Sequence, residues 1–283
     1  MNSTVTASEA IFNFDRWESR LTQDQQVYQR EEPYPHIVLE NFLEGWAARK
    51  AMESFPNVKD EGWIHYIHVN ERKHGLNKMD MLPSFIQEVI QTLNSAEFVG
   101  YLEKLTGIPK LLPDPMLEGG GLHQTQRGGF LNIHADFTVH PHKRNWRRRV
   151  NVLVYLNEPW EEEYGGKLEL WTRDMKSCVT KISPIFNRCV VFNTDEDSYH
   201  GQPIPLACPE DISRKSIALY YFTEEAETPR KRATNYKARP EDGLKSILIW
   251  ADKQAIVVYN WLKGKLGIND DFVSNILKRF NKS

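Results

Sequence analysis

The segment from Gly128 to Phe222 holds the residues whose types could do chemistry: His134-Ala135-Asp136, then His200, then Arg214 with Ser216. Two histidines and one carboxylate are the ligand set that leaves half of an octahedral iron site open for a co-substrate and dioxygen. In a strand, residues i and i+2 point to the same side. His134 and Asp136 can therefore aim at one metal while the small Ala135 faces away. The third ligand must come from a distant strand, because three ligands on one face of an octahedron need a second direction. His200 follows an apolar run, Cys189–Asn193, and an acidic turn of Asp195, Glu196 and Asp197. A lone His-x-Asp is a weak signal, since a histidine beside an acid is common on surfaces and in cores. Order and context strengthen this one: a pair at a strand end, a later histidine beyond further strands, then a strand with a basic start.

The elements that must position these residues are short. After Pro115, β-like runs separated by turn residues follow closely: Leu117–Gln126, Gly129–His134, Val150–Asn157, Lys167–Thr172, Cys178–Ile182, Cys189–Asn193 and Ser216–Thr223. Such spacing predicts a sandwich or jelly roll. Upstream, Phe12–Arg30 reads as a polar helix stopped by Pro33-Tyr34-Pro35, and His36–Phe42 as a strand. Glu44–Phe55 reads as a short helix, and two amphipathic helical stretches surround Phe85–Leu93 and Phe98–Leu105, the second ended by Thr106-Gly107. Residues Gly62–Leu76 are rich in aromatics and histidine and have no clear period. Helices are expected from about Gly243 to Leu266 and from about Asp270 to Phe280. The layout is mainly β with flanking helices, one domain over residues 1–283. Support elements fill 1–115, a jelly-roll core 116–224 and a helical extension 225–283.

Four blocks carry a family resemblance: GGFLNIHADF (128–137), VNVLVYLNEPW (150–160) with GGKLELW (165–171), FNRCVVFNTDEDSYHG (186–201) and RKSIALYYFT (214–223). In this order they resemble the Fe(II)/2-oxoglutarate-dependent dioxygenases, in particular the prolyl 4-hydroxylase-like branch. The resemblance runs from about Leu117 to Thr223, with a weaker likeness over Pro33–Leu43. It implies a double-stranded β-helix in which His134, Asp136 and His200 bind Fe(II). It implies that Arg214 pairs with the distal carboxylate of 2-oxoglutarate, for which a planar guanidinium suits. Ser216, on the same strand face, and Tyr155 of the YLNEPW block would donate further hydrogen bonds. Dioxygen is then the oxidant, with ascorbate as an accessory reductant, and the reaction is hydroxylation of an unactivated C–H bond. Iron halogenases of this fold have a small residue in place of the carboxylate, so Asp136 favours hydroxylation. One departure touches the substrate side. Prolyl 4-hydroxylases often carry a tyrosine nine or ten residues before the first histidine, where Thr125 and Gln124 stand here beside His123.

The run Lys143-Arg144-Asn145-Trp146-Arg147-Arg148-Arg149 packs five positive charges just after the metal pair. It reads either as a solvated loop or as an entrance that attracts an acidic substrate. Alternation back from Tyr155 puts Leu153, Asn151 and Arg149 on one face. Arg149 is therefore the first substrate-binding candidate, with Arg148 next because a bulge would swap them. His123 reads as core packing or as part of the active-site wall. His140 and His142 read as solvated, with a second metal as the alternative; His65, His68 and His74 read as surface residues or part of a lid. Gly119-Gly120-Gly121 is no phosphate loop, because no Lys-Ser/Thr follows; backbone clearance is its expected role.

Composition bounds the rest. Apolar residues make up 40% of 283, enough for a sizeable core and against disorder. A net charge of −2 gives no global pull toward nucleic acid or membrane. Three cysteines, Cys178, Cys189 and Cys208, match no zinc spacing and fit a reducing, cytoplasmic setting. Residues Met1–Ala10 lack the apolar stretch of a signal peptide. The longest apolar stretch, Ser246–Leu262, is broken by Asp252, Lys253 and Gln254, so no membrane span is expected. Helical spacing over Leu244–Leu266 gathers Ile247, Trp250, Ala251, Ile256, Val257 and Trp261. They read as packing on the β core, with a homodimer contact as the second reading. The substrate is left as a prolyl residue of a protein or peptide, or a small metabolite. The rival from another class is a non-catalytic jelly-roll module that keeps a metal for sensing, which would have no need of a dicarboxylate clamp.

Overall fold

The computed structural model describes residues 10–252 and residue 254. Helix α1 (Phe14–Arg30) begins where the Asn13 side chain accepts a hydrogen bond from the Arg16 N–H at 3.0 Å. Strand β1 (His36–Leu39) and helix α2 (Gly45–Glu53) follow. The stretch without a clear period is a hairpin, β2 (Ile64–His68) and β3 (Glu71–Leu76), turned at Val69-Asn70. Helices α3 (Ser84–Leu93) and α4 (Ala96–Thr106) come next. Ser95 caps α4, and Gly107 ends it at φ 71°, a left-handed conformation that glycine adopts without strain.

The remaining strands are β4 (Leu112–Pro113), β5 (Gly121–Thr125), β6 (Phe130–Ala135), β7 (Trp146–Tyr155), β8 (Leu168–Trp171), β9 (Cys178–Ile182), β10 (Arg188–Asn193), β11 (His200–Gln202), β12 (Arg214–Glu224) and β13 (Asn235–Tyr236). They join in one curled sheet in the order β1-β10-β7-β12-β5-β3-β6-β11-β8-β9, with β13 beside β6, β2 beside β3 and β4 beside β12. This is the expected jelly-roll core with flanking helices. The structure departs from expectation most at the basic run and at β11. The basic run is a loop only up to Asn145, because β7 starts at Trp146; its pairing with β12 extends four residues before Val150. The short strand β11 has no apolar pattern of its own to announce it. The expected helix after Gly243 is helical over 245–252; its remainder and the helix expected at Asp270–Phe280 lie outside the described residues.

The central strands are sided. Val150, Val152 and Val154 of β7, with Ile217, Leu219 and Tyr221 of β12, belong to the core that the helices cover. Their alternate neighbours Asn151, Leu153, Ser216 and Tyr220 face a cavity inside the curl. Phe98 of α4 joins the two layers, with ring centroids 5.1 Å from Phe12, 6.0 Å from Phe42 and 6.4 Å from Tyr221. The triple glycine gives the expected clearance: a Cβ at Gly121 would lie 2.3 Å from the Leu76 carbonyl oxygen, and one at Gly120 2.7 Å from that of Ala218. Phe98→Ala should remove the contact that fixes the helices to the sheet. Loss of about 3–5 kcal/mol is expected, read as a lower urea midpoint at unchanged slope.

Candidate active site

His134 near the end of β6 and His200 at the start of β11 are direct cross-strand partners. Asp136 lies one residue beyond β6. The register therefore delivers what the i, i+2 pair lacked, a second direction. His134 Nε2 is 3.5 Å from Asp136 Oδ1, and His200 Nε2 is 3.5 Å from Asp136 Oδ2. One ligand atom from each residue lies within 4.8 Å of the others. Both imidazoles are turned by backbone: each Nδ1 lies 2.9 Å from a carbonyl oxygen, of Asn132 for His134 and of Ser198 for His200. A carbonyl accepts only, so Nδ1 carries the proton and each Nε2 lone pair faces the carboxylate. Burial pushes His200 down to about 4, against the pull of Asp136, so its ring is neutral near pH 7. Lone pairs facing a carboxylate with no proton between them repel unless a cation sits among them. The donor set thus fits a divalent metal with nitrogen and oxygen preference.

Asp136 has its own support. Its Oδ2 accepts from Asn151 Nδ2 at 2.8 Å and lies 2.9 Å from Arg148 Nη2. Burial would raise this carboxyl, but Arg148 holds it well below the usual range. Arg148 is fully enclosed. Its guanidinium carbon stands 3.4 Å over the Tyr220 ring and 4.7 Å from that of Phe137, and its Nε donates to Asn151 Oδ1 at 3.0 Å. The swap that a bulge would cause is present: Tyr221 pairs with Val150 and Phe222 with Arg148, leaving Arg149 unopposed. Arg149 does not line the cavity; it points outward to Glu225 at 3.7 Å. The first-ranked substrate candidate is corrected accordingly, and Arg148 takes the inward place. In the rest of the basic run Arg147 lies 3.5 Å from Asp195 and the Lys143 ammonium stands 3.4 Å over the Trp146 ring.

The same cavity is lined by Arg214 and Ser216 of β12. Arg214 Nε donates to the Gly166 carbonyl at 2.9 Å and Nη2 to the Tyr155 hydroxyl at 3.1 Å. Burial raises the Tyr155 phenol, partly offset by Arg214, so it stays a neutral hydroxyl. The guanidinium is thereby fixed in plane, with donors left for a carboxylate. Leu131, Leu153 and Leu168 supply apolar walls, and the cavity measures about 210 Å³. His123 also lines it, bonded to the Gly119 carbonyl at 3.1 Å; burial and Lys73 push it down to about 3. His140 is buried 3.3 Å from Asp114, not solvated, while His142 pairs with Glu118 at the surface. Neither joins a three-ligand cluster among the described residues. No pattern in the amino-acid chain marks Tyr66, Glu71 and Lys73, which line the cavity from the hairpin. Their hairpin carries no hydrophobic period, and only the pairing across the turn at Val69-Asn70 reveals it.

The fold and site together are a jelly-roll core that brings two histidines, a carboxylate and a buried arginine to one cavity. Comparison with known proteins agrees. Residues 120–222 match the sequence model of the 2OG-Fe(II) oxygenase superfamily. Prolyl hydroxylase EGLN3 of Mus musculus is 28% identical over 99 residues, 34% of this chain and 39% of that relative. The match thus spans about two fifths of the relative's length. A Trichoplax adhaerens prolyl hydroxylase, solved with a hypoxia inducible factor peptide fragment, superposes with a TM-score of 0.53 at 19% identity, covering 74% of this chain and 93% of that one. A Pseudomonas putida prolyl-4-hydroxylase does so at 0.51 and 15% identity, covering 71% and 100%. Residues 120–222 of this chain are thus similar to the 2OG-Fe(II) oxygenase superfamily, and the solved prolyl hydroxylases share its jelly-roll fold.

Two outcomes follow from the electrostatics. In metal-free protein, Arg148→Ala leaves Asp136 buried without its cation and should cost about 3–5 kcal/mol, whereas Arg149→Ala should stay within about 0.5 kcal/mol; urea titration of both variants separates the two arginines. The Glu71 carboxyl, which burial alone would raise, is held at about 2 by Lys73 and His68 against an ordinary 4.5. A depressed carboxylate contributes stability that is complete above about pH 4.5 and lost as pH falls toward 2. Glu71→Gln should therefore flatten the acid limb of the stability profile in that window, and, because Glu71 helps hold the His68 pKa above 6.5, should also remove part of the stability that is lost as pH rises past 6.5.

Proposed function

We propose that this protein is a non-haem Fe(II)- and 2-oxoglutarate-dependent dioxygenase that hydroxylates an unactivated C–H bond. The observation that carries this reading is that three convergent metal ligands and a fixed, buried arginine share one cavity. When bound, iron with 2-oxoglutarate and dioxygen supplies the oxidising power, with ascorbate as an accessory reductant. The chain's own residues bind and orient. His134, Asp136 and His200 hold the metal on one side. Arg148 and Asn151 occupy Asp136 Oδ2, leaving Oδ1 for the metal. Arg214 pairs with the distal carboxylate of 2-oxoglutarate, Tyr155 and Ser216 add hydroxyl contacts, and the leucine walls exclude water from its methylene chain. No general base is needed, and none is assigned.

A metal-sensing module is the weaker reading, because Arg214 and Tyr155 form a dicarboxylate clamp that sensing does not require. The substrate is a prolyl residue or a small metabolite; His123 is the substrate-side residue we retain, whereas Arg148 is committed to Asp136 and Asn151. Three cysteines without disulfides agree with a reducing, cytoplasmic setting. No helix among the described residues is long and apolar enough to cross a membrane. Most of the stretch read as a homodimer contact, Leu244–Leu266, lies outside the described residues.

The test is anaerobic titration of Fe(II)-loaded protein with 2-oxoglutarate, watching for a weak visible charge-transfer band. Formation of the band supports the assignment and its absence refutes it. Arg214→Ala should weaken 2-oxoglutarate binding by about 2–5 kcal/mol, some tens to thousands fold. An unchanged midpoint in that variant would mean that another residue holds the carboxylate.

A further inference from the structure

The hairpin turns a polar face into the cavity. Tyr66 stands opposite Lys73, and His68 opposite Glu71. Glu71 is well supplied with donors: its Oε1 is 2.8 Å from His68 Nε2, its Oε2 is 3.3 Å from Lys73 Nζ, and Tyr236 bonds to it as well. Lys73 is not so supplied. An ammonium carries three donors. Glu71 is its one ion-pair partner among the described residues, with the Tyr66 ring 5.4 Å away. The Lys73 side chain is only 16% exposed, so water does not readily complete the set. Arg148, the other cation on this side, is already committed to Asp136 and Asn151.

The charge balance points the same way, given the reaction class proposed above. Lys73, Arg148 and Arg214 line the cavity against two carboxylates, Glu71 and Asp136. A divalent metal and dianionic 2-oxoglutarate cancel each other. One positive charge then stays uncompensated in a confined pocket, and buried charge without a partner is costly. Size adds a limit. A cavity of about 210 Å³ is small beside the roughly 300–1,000 Å³ of ordinary ligand pockets, and 2-oxoglutarate takes part of it.

We propose that the primary substrate is a small molecule bearing a carboxylate, which pairs with Lys73 on the hairpin wall. A prolyl residue inside a peptide chain has no such group.

The experiment measures stimulation of 2-oxoglutarate consumption by matched probes. These are small amino and hydroxy acids including free L-proline, the carboxamides of the same molecules, and prolyl peptides blocked at both ends. Wild type must first give the anaerobic visible band. Its absence refutes the reaction class, whereas its presence with failure of the arms below refutes only the carboxylate. Acids should stimulate, while carboxamides and blocked peptides should not. Lys73→Met should need at least about tenfold more acid for half-maximal stimulation, and Lys73→Arg, which keeps the charge, should lose less. If the Met variant fails to form the band, Lys73→Gln is measured in its place. The proposal is overturned if neutral probes stimulate as well as acids, if no acid in the panel stimulates, or if the neutral variant at position 73 responds like wild type.

Discussion

Three electron-pair donors face one another in a buried pocket, and electrostatics allows this only with cations close by. His134, Asp136 and His200 are brought within 4.8 Å by a strand register and held there by backbone carbonyls behind each imidazole. Neither histidine can turn its Nδ1 inward without giving up that hydrogen bond, which is worth about 1 kcal/mol net and more when its loss leaves a buried group unpaired. The arrangement is thus stored in the fold before any metal arrives. Arg148 carries part of the compensation. It sits on the outer oxygen of Asp136, sandwiched by Phe137 and Tyr220, so the carboxylate stays ionised and in place.

Holding such a site demands a rigid frame, and the sidedness of the central strands supplies it. On β7 and β12 one set of side chains packs under α1, α3 and α4, while the alternate set builds the cavity. A shift of one residue in register would exchange the two sets, placing valines in the pocket and Asn151 and Ser216 under the helices. Burial of Val150, Val152, Val154, Ile217 and Leu219 therefore fixes the positions of the polar residues between them. The bulge at Arg149 is the one place where alternation is broken. It puts Arg148, rather than Arg149, beside Asp136 and directs Arg149 to a surface acid.

This division explains what could be read from the amino-acid sequence. The ligands stood out because a strand's period of two and the order of the blocks constrain them. The clamp residues Tyr155, Arg214 and Ser216 came with the family resemblance, and the structure brings all three together at one end of the cavity or its wall. Strands with apolar alternation, such as Cys178–Ile182, were legible to the residue. The hairpin was not, because both of its faces carry polar or aromatic groups and no hydrophobic period marks it. Strand β11 was missed because three residues of His-Gly-Gln show no pattern; partners on both sides make it a strand. The bulge could be imagined but not located, since it depends on how β7 meets β12.

The two walls of the cavity also come from different parts of the chain. The ligands and the co-substrate clamp lie within residues 120–222, the segment that matches the superfamily. Glu71, Lys73 and Tyr66 lie outside it, on a hairpin that joins the core through short pairings with β5 and β6. Groups that perform the shared chemistry must keep fixed distances to one metal, so any chain with this reaction must spell them in much the same way. Groups that meet the substrate answer only to the substrate, and they sit on an element whose own packing asks for no particular pattern. The reaction class is therefore written where sequence similarity reaches. The substrate we propose is read from the hairpin, where charge and unfilled hydrogen-bond donors are the readable marks.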